Sequence, residues 1–166
     1  MFKRKSVLPV TIMLAAMLIL LSGSVATAGS GVFTEFRCLE VCGAVLEPGT
    51  STPHDGKLQV QGLVRQCTDW ASIPQGIGSG QVEINGIWDP NDNLSGPMWG
   101  TYHFTNDTGG WLTRWTGETT SEGYRYIRAH GRGIGGYEGM QAWWWMSTDP
   151  NDPSYPCVGR ILDPHR

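Results

Sequence analysis

Five side chains able to do acid–base or anion-binding chemistry, Glu83, His103, Arg114, Glu118 and Arg125, lie in four short runs rich in β-branched and aromatic residues. Alternate residues of an extended chain share a face. That alternation puts the five on one face, together with Trp99, Trp143 and Trp145. The other face collects Val82, Ile84, Trp88, Met98, Tyr102 and Phe104, then Trp111, Trp115, Tyr124, Tyr126, Met140, Trp144 and Met146. Two dispositions follow. With the apolar set inward, the chain is a packed small barrel with a polar, tryptophan-spotted outside. With the polar set inward, the five line a cavity that can shift pKa values and support cyclase- or isomerase-like acid–base work. The first is favoured, because a closed small barrel seldom encloses so many charges without a ligand.

Other chemistry-bearing patterns weaken on inspection. His130 to Trp145, HGRGIGGYEGMQAWWW, holds a G-x-G-x-x-G match at Gly131, Gly133 and Gly136. A dinucleotide fingerprint needs a strand before it and a helix after it. Here the following segment has Gly139 and three consecutive tryptophans, which suit a strand. The glycines therefore read as a β-hairpin loop whose residues need positive φ. DPND occurs at Asp89–Asp92 and again at Asp149–Asp152. Clustered oxygens can hold calcium, but the EF-hand spacing is absent and these residues form turns by their own side-chain hydrogen bonds. Asn93 and Asn106 begin glycosylation-type triplets and read as loop residues. His54, His103, His130 and His165 are isolated, and there is no nucleophile elbow or H-E-x-x-H. No metal and no cofactor is expected.

The chain that must position these residues has an export leader. Lys3, Arg4 and Lys5 precede an apolar run from Val7 to Leu21, and Ala26-Thr27-Ala28 is a small-x-small cleavage site. The run is short for a membrane span, so residues 1–28 read as a cleaved signal peptide and the protein as secreted or periplasmic. No integral membrane segment is expected after cleavage. Of 12 Lys and Arg, three leave with the leader; nine then face 15 Asp and Glu, a net charge of −6. Such a chain is a poor nucleic-acid binder. Residues 29–56 read as a short cysteine-bearing segment and turn-rich linker. Residues 57–166 alternate short strand-like runs with Gly/Asn/Asp/Pro clusters, which argues an all-β, closed or nearly closed antiparallel β-barrel.

Trp115-Thr116-Gly117, Gly123-Tyr124 and the hairpin Gly133, Gly135, Tyr137, Gly139 follow in the order of the last hairpins of small calycin-like barrels. Over roughly residues 57–162 the chain resembles the allene oxide cyclase and dirigent barrel group. The resemblance implies the barrel; no catalytic residue of that group aligns here. Cys38, Cys42, Cys67 and Cys157 form an even set in an exported chain, which reads as two disulfides. If Cys67 ends the first barrel strand and Cys157 begins the last, those strands are neighbours on closure. Cys67–Cys157 is then the expected bond, with Cys38–Cys42 by elimination.

Consecutive tryptophans cannot all enter one core. Trp144 is expected inside. Trp143 and Trp145, with Trp99, are expected outside, either partly covered by the 29–55 segment or open to a flat ligand. Three functions remain: a non-catalytic exported barrel binding a small apolar molecule or glycan through exposed tryptophan, a cyclase- or isomerase-like enzyme, and an envelope-interaction domain without a pocket.

Overall fold

Alternating burial runs the length of the chain and closes it on itself. In the computed structural model, which describes residues 31–152 and 154–166, nine antiparallel strands form: β1 Val32–Glu47, β2 Thr50–His54, β3 Lys57–Ala71, β4 Gly78–Trp88, β5 Gly96–Thr105, β6 Gly109–Thr119, β7 Arg125–Gly135, β8 Gln141–Thr148 and β9 Ser154–Asp163. Each of β3 to β8 pairs with its successor, and β1 pairs with both β9 and β3. Eight strands thus close a barrel, and closure pairs both sides of each of the eight. β2 pairs only with the start of β3 and is exposed throughout, a hairpin lip beyond the barrel. The expected signal peptide lies outside the described residues. Among those described, no helix is long and apolar enough to cross a membrane.

The first correction concerns β1. Residues 29–56 were expected to precede the barrel, yet Val32–Glu47 is one of its staves. Its alternation is disguised. Phe36, Cys38, Glu40 and Cys42 turn inward, so the inward row includes a carboxylic acid, while Leu39 and Val41 face out. The expected disulfides change with it. Cys38 bonds Cys157 and Cys42 bonds Cys67, with Cα separations of 4.8 and 4.0 Å. Each bond joins direct cross-strand partners. Four residues along one strand span about 13 Å, too far for a Cys38–Cys42 bridge, and β1 stands between β3 and β9.

The apolar face is inward on β4, β5, β6 and β8: Val82, Met98, Tyr102, Phe104, Trp111, Trp115, Trp144 and Met146 are buried. The second correction is the parity of β7. Tyr124 and Tyr126, expected inside, are 40% and 49% exposed. The inward row is Arg125, Ile127, Ala129, Gly131 and Gly133. Size explains this: Ala129 sits opposite Trp115 on β6 and Trp144 on β8, and a Cβ on Gly131 would meet the Trp144 ring at 3.3 Å. Small residues on one strand make room for three tryptophans on its neighbours.

The glycine-rich segment is a hairpin, as expected from its turn chemistry. Gly135 and Gly139 have φ of +62° and +86°. Gly131 and Gly133 lie within β7 and serve close approach instead; a Cβ on Gly133 would run into the Tyr137 carbonyl oxygen. This end of the barrel is plugged. Tyr137 stacks on Trp111 at 5.4 Å and donates to Asn106, while Trp111 Nε1 donates to the Gln75 carbonyl of the short 3-10 turn Pro74–Gly76.

Candidate functional site

The opposite end is open and carries both DPND turns. Asp89 and Asp149 each accept the N–H of the asparagine two residues on, at 2.9 and 2.8 Å. Asp92 accepts from the Ser95 and Ser121 hydroxyls, and Asp152 from Ser154. These bonds hold the Asp92 and Asp152 carboxyls below the ordinary range. Each carboxylate is thus engaged in making a turn. Asn93 donates to the Ser121 carbonyl, and a Cβ on Gly123 would lie 3.0 Å from Pro150, so three loops pack as a rim. Leu94 projects from that rim with φ of +58° and is 46% exposed.

Within the barrel, below Leu94, lies a cavity of about 240 Å³. Its wall is largely apolar: Val82, Ile84, Met98, Trp115, Ile127, Trp144 and Met146 contribute from five strands. A smaller recess of about 40 Å³ extends towards the plugged end past Tyr102, Phe104 and Trp111.

Ionisable carboxyl and guanidinium groups enter the interior from β1, β3 and β7. Glu40 is 6% exposed and is the direct cross-strand partner of Asp69, itself 8% exposed. Asp69 accepts a hydrogen bond from the Tyr102 hydroxyl. Among the described residues Glu40 has no such donor. Its Oε1 lies 3.3 Å from Cys42 Sγ, but a disulfide sulfur carries no proton to give. Burial, then the neighbouring Asp69, push the Glu40 carboxyl up to about 8, against a smaller opposing pull from Arg65. Burial raises Asp69 to about 6, moderated by the Tyr102 hydrogen bond. Burial and the two carboxyls together raise Tyr102 far above its ordinary value, so it stays a donor. On either side of Glu40 a disulfide fastens β1, to β9 two residues before it and to β3 two residues after it.

Arg65 and Arg125 supply the positive charges. Arg65 donates to the Cys42 and Gly43 carbonyls at 2.9 and 3.0 Å. Arg125 donates to the Tyr155 hydroxyl at 2.6 Å. Glu40, Cys42 and Cys67 form a compact group of metal-type ligands, but both sulfurs are used in a disulfide and cannot ligate as thiolates.

Of the five acid–base candidates read from the alternation, only Arg125 lines the cavity. The expected alternative, with all five inward, is corrected: His103, Arg114 and Glu118 are exposed, and Glu83 accepts from Asn85 and Thr101 on the outer face. The same parity rule that turns Arg125 inward on β7 turns the others outward. Glu40, Asp69 and Arg65 were missed because they lie in segments read as linker or as plain strand. The period-2 placement of Glu40 between two inward cysteines is the signal that could have found it.

The outer tryptophans are dispersed. Trp99 and Trp145 are 38% and 43% exposed. Trp143 is half-buried, stacked on His130 at 5.0 Å, with Phe33 of β1 at 6.4 Å and the Arg160 guanidinium above its ring at 5.6 Å. The 29–55 segment therefore does cover Trp143 in part, through Phe33. No protein-family model matches the chain, and no curated protein is similar to it.

Proposed function

We propose that this is an exported, ligand-binding barrel that takes a small, largely apolar molecule into its interior through the rim carrying Leu94. The observation that carries this reading is the cavity of about 240 Å³ within the barrel, open at the rim, with its largely apolar wall. Ligand sites are concave, mostly apolar and furnished with a few convergent polar groups. A glycan fits less well, because its many hydroxyls need many partners and the wall offers few. Trp99, Trp143 and Trp145 give an open, scattered outer surface, whereas Trp88, Trp115 and Trp144 enclose one space. We further propose that the barrel is of the allene oxide cyclase and dirigent type, on the strength of its hairpin glycines, and that residues 1–28 direct export, which suits two disulfides.

The test is binding of 2-ethylnaphthalene followed by tryptophan fluorescence. Ile127→Phe, at a partly buried position of the wall, puts a larger side chain into the cavity and should abolish binding while the strand circular dichroism is kept. Trp143→Ala on the outer face should leave binding unchanged. The opposite pattern would reject an interior site.

A second reading is proton-transfer catalysis on the bound molecule, favoured by the buried Glu40–Asp69 pair. It predicts turnover that Glu40→Gln removes while binding persists.

A further inference from the structure

Three side chains lining the cavity hold buried polar atoms without a protein partner: Arg65 Nε, Trp88 Nε1 and Thr113 Oγ1. Two of these are pure donors. Leaving such a group unpaired costs about 1–3 kcal/mol, so native chains keep few of them and each asks for a partner. Glu40, 6% exposed, adds a carboxyl that no donor among the described residues serves. Two carboxyls facing each other in a buried wall cannot both ionise readily, so one keeps a proton. Asp69 has the Tyr102 hydroxyl as donor and is therefore the one that ionises. Glu40 has no donor, and among the described residues the two carboxyls are not hydrogen-bonded to each other. The retained proton sits on Glu40 and has no acceptor among the described residues.

The charges around Glu40 point the same way. From β3 come Asp69 and Arg65, whose opposite charges offset each other; from β5 comes Tyr102, neutral. Across β1 on β9 stands Tyr155, accepting from Arg125 of β7, which is half-exposed and solvated at the rim. A ligand anion placed at Glu40 would meet Asp69, and a ligand cation would meet Arg65. An uncharged acceptor avoids both charge conflicts and suits the donors left unpaired in the wall.

Resting on the interior-site reading above, we infer that the polar end of the ligand is an uncharged oxygen acceptor, a ketone, ester or lactone carbonyl, which takes the hydrogen bond of the Glu40 carboxylic acid. Binding of such a ligand needs the Glu40 proton. Its advantage over an apolar analogue is present while Glu40 is protonated and disappears as that group ionises near pH 8. The two disulfides that bracket Glu40 keep the donor in place before the ligand arrives, which limits the entropy lost on binding.

The experiment compares three naphthalenes of one size on the disulfide-bonded protein by calorimetric titration at pH 6 and pH 9: 2-acetylnaphthalene, 2-ethylnaphthalene and 2-naphthoate. At pH 6 the ketone should bind about tenfold more tightly than the hydrocarbon, the worth of one good hydrogen bond to a buried donor. At pH 9 the two should bind alike. Glu40→Gln keeps a donor without the titration, so the ketone's advantage should persist at both pH values. Glu40→Met removes the donor with little change of volume, so the advantage should vanish at pH 6 while the hydrocarbon still binds. Equal binding of ketone and hydrocarbon at pH 6 overturns the inference and leaves the interior site standing. Tightest binding by 2-naphthoate also overturns it and makes Arg125 the recognition group. Failure of all three to bind removes the interior site as well.

Discussion

Substituting Glu40 by glutamine should change how the stability of this protein depends on pH. In the folded chain the Glu40 carboxyl ionises near pH 8, whereas an ordinary glutamate does so near 4.5. The folded state therefore holds a proton that the unfolded state has lost. Its contribution is fully present below pH 4.5 and is lost as pH rises towards 8. Asp69, raised from 3.8 to about 6, acts in the same direction over a lower window. Between pH 6 and pH 8 Glu40 is thus the main source of the slope. Each pH unit of such proton retention removes about 1.4 kcal/mol, so the two units remove about 2 kcal/mol once partial ionisation at pH 8 is counted. For a domain of this size that is a fall of about 8 °C in melting temperature. Glu40→Gln fills the same space and does not titrate, so its melting temperature should stay nearly level from pH 6 to pH 8 and exceed that of the parent at pH 8. Differential scanning calorimetry of both proteins at half-unit steps measures it. A parent curve that is flat or rising over this interval, or the same slope in both proteins, would refute the buried, donorless carboxyl.

Three further outcomes follow from the geometry. Non-reducing peptide maps should link Cys38 to Cys157 and Cys42 to Cys67; opening the first, which closes a 119-residue separation, should cost about 5 kcal/mol and the second, at 25, about 3.5 kcal/mol on the chain-entropy estimate, read by denaturant titration of the Cys→Ala pairs. Leu94→Gly relieves a left-handed backbone and should add about 1 kcal/mol of stability while weakening 2-ethylnaphthalene binding, since it removes an apolar side chain from the cavity rim. In the hairpin, Gly135→Ala should lose only about 1 kcal/mol from its positive φ, whereas Gly133→Ala forces a Cβ onto the Tyr137 carbonyl and should lose about 3 kcal/mol or more by thermal melting; equal losses would contradict the distinct roles of the two glycines.

The barrel was legible because period 2 is a strong signal where one face is apolar. QVEINGIW, PMWGTYHFT and QAWWWMST each show which residues turn inward, and the structure agrees. On YRYIRAHGRG the same reasoning fails. Two tyrosines outrank alanine and glycine in hydrophobicity, but the space left by three facing tryptophans decides, and that space is a tertiary quantity. In β1 the alternation is present but inverted in polarity, because Glu40 turns in while Leu39 and Val41 turn out. A stave was therefore read as a linker, and both disulfide partners followed from that misreading. The site was the least legible part. Its carboxyl and guanidinium groups come from β1, β3 and β7, distant in sequence and brought together only when β1 closes the barrel between its two disulfides.

The most direct test of an interior site is a methyl-resolved NMR titration with 2-acetylnaphthalene at pH 6. Met98, Met146, Ala129, Ile84 and Ile127 line the cavity, and Trp99, Trp143 and Trp145 stand on the outer wall. Ligand inside the barrel predicts progressive shifts of those five residues' methyl signals, with intermolecular Overhauser contacts to the naphthalene ring, and unmoved indole N–H signals from the three outer tryptophans. Shifts confined to those indoles, with the interior methyls unchanged at saturation, would contradict it.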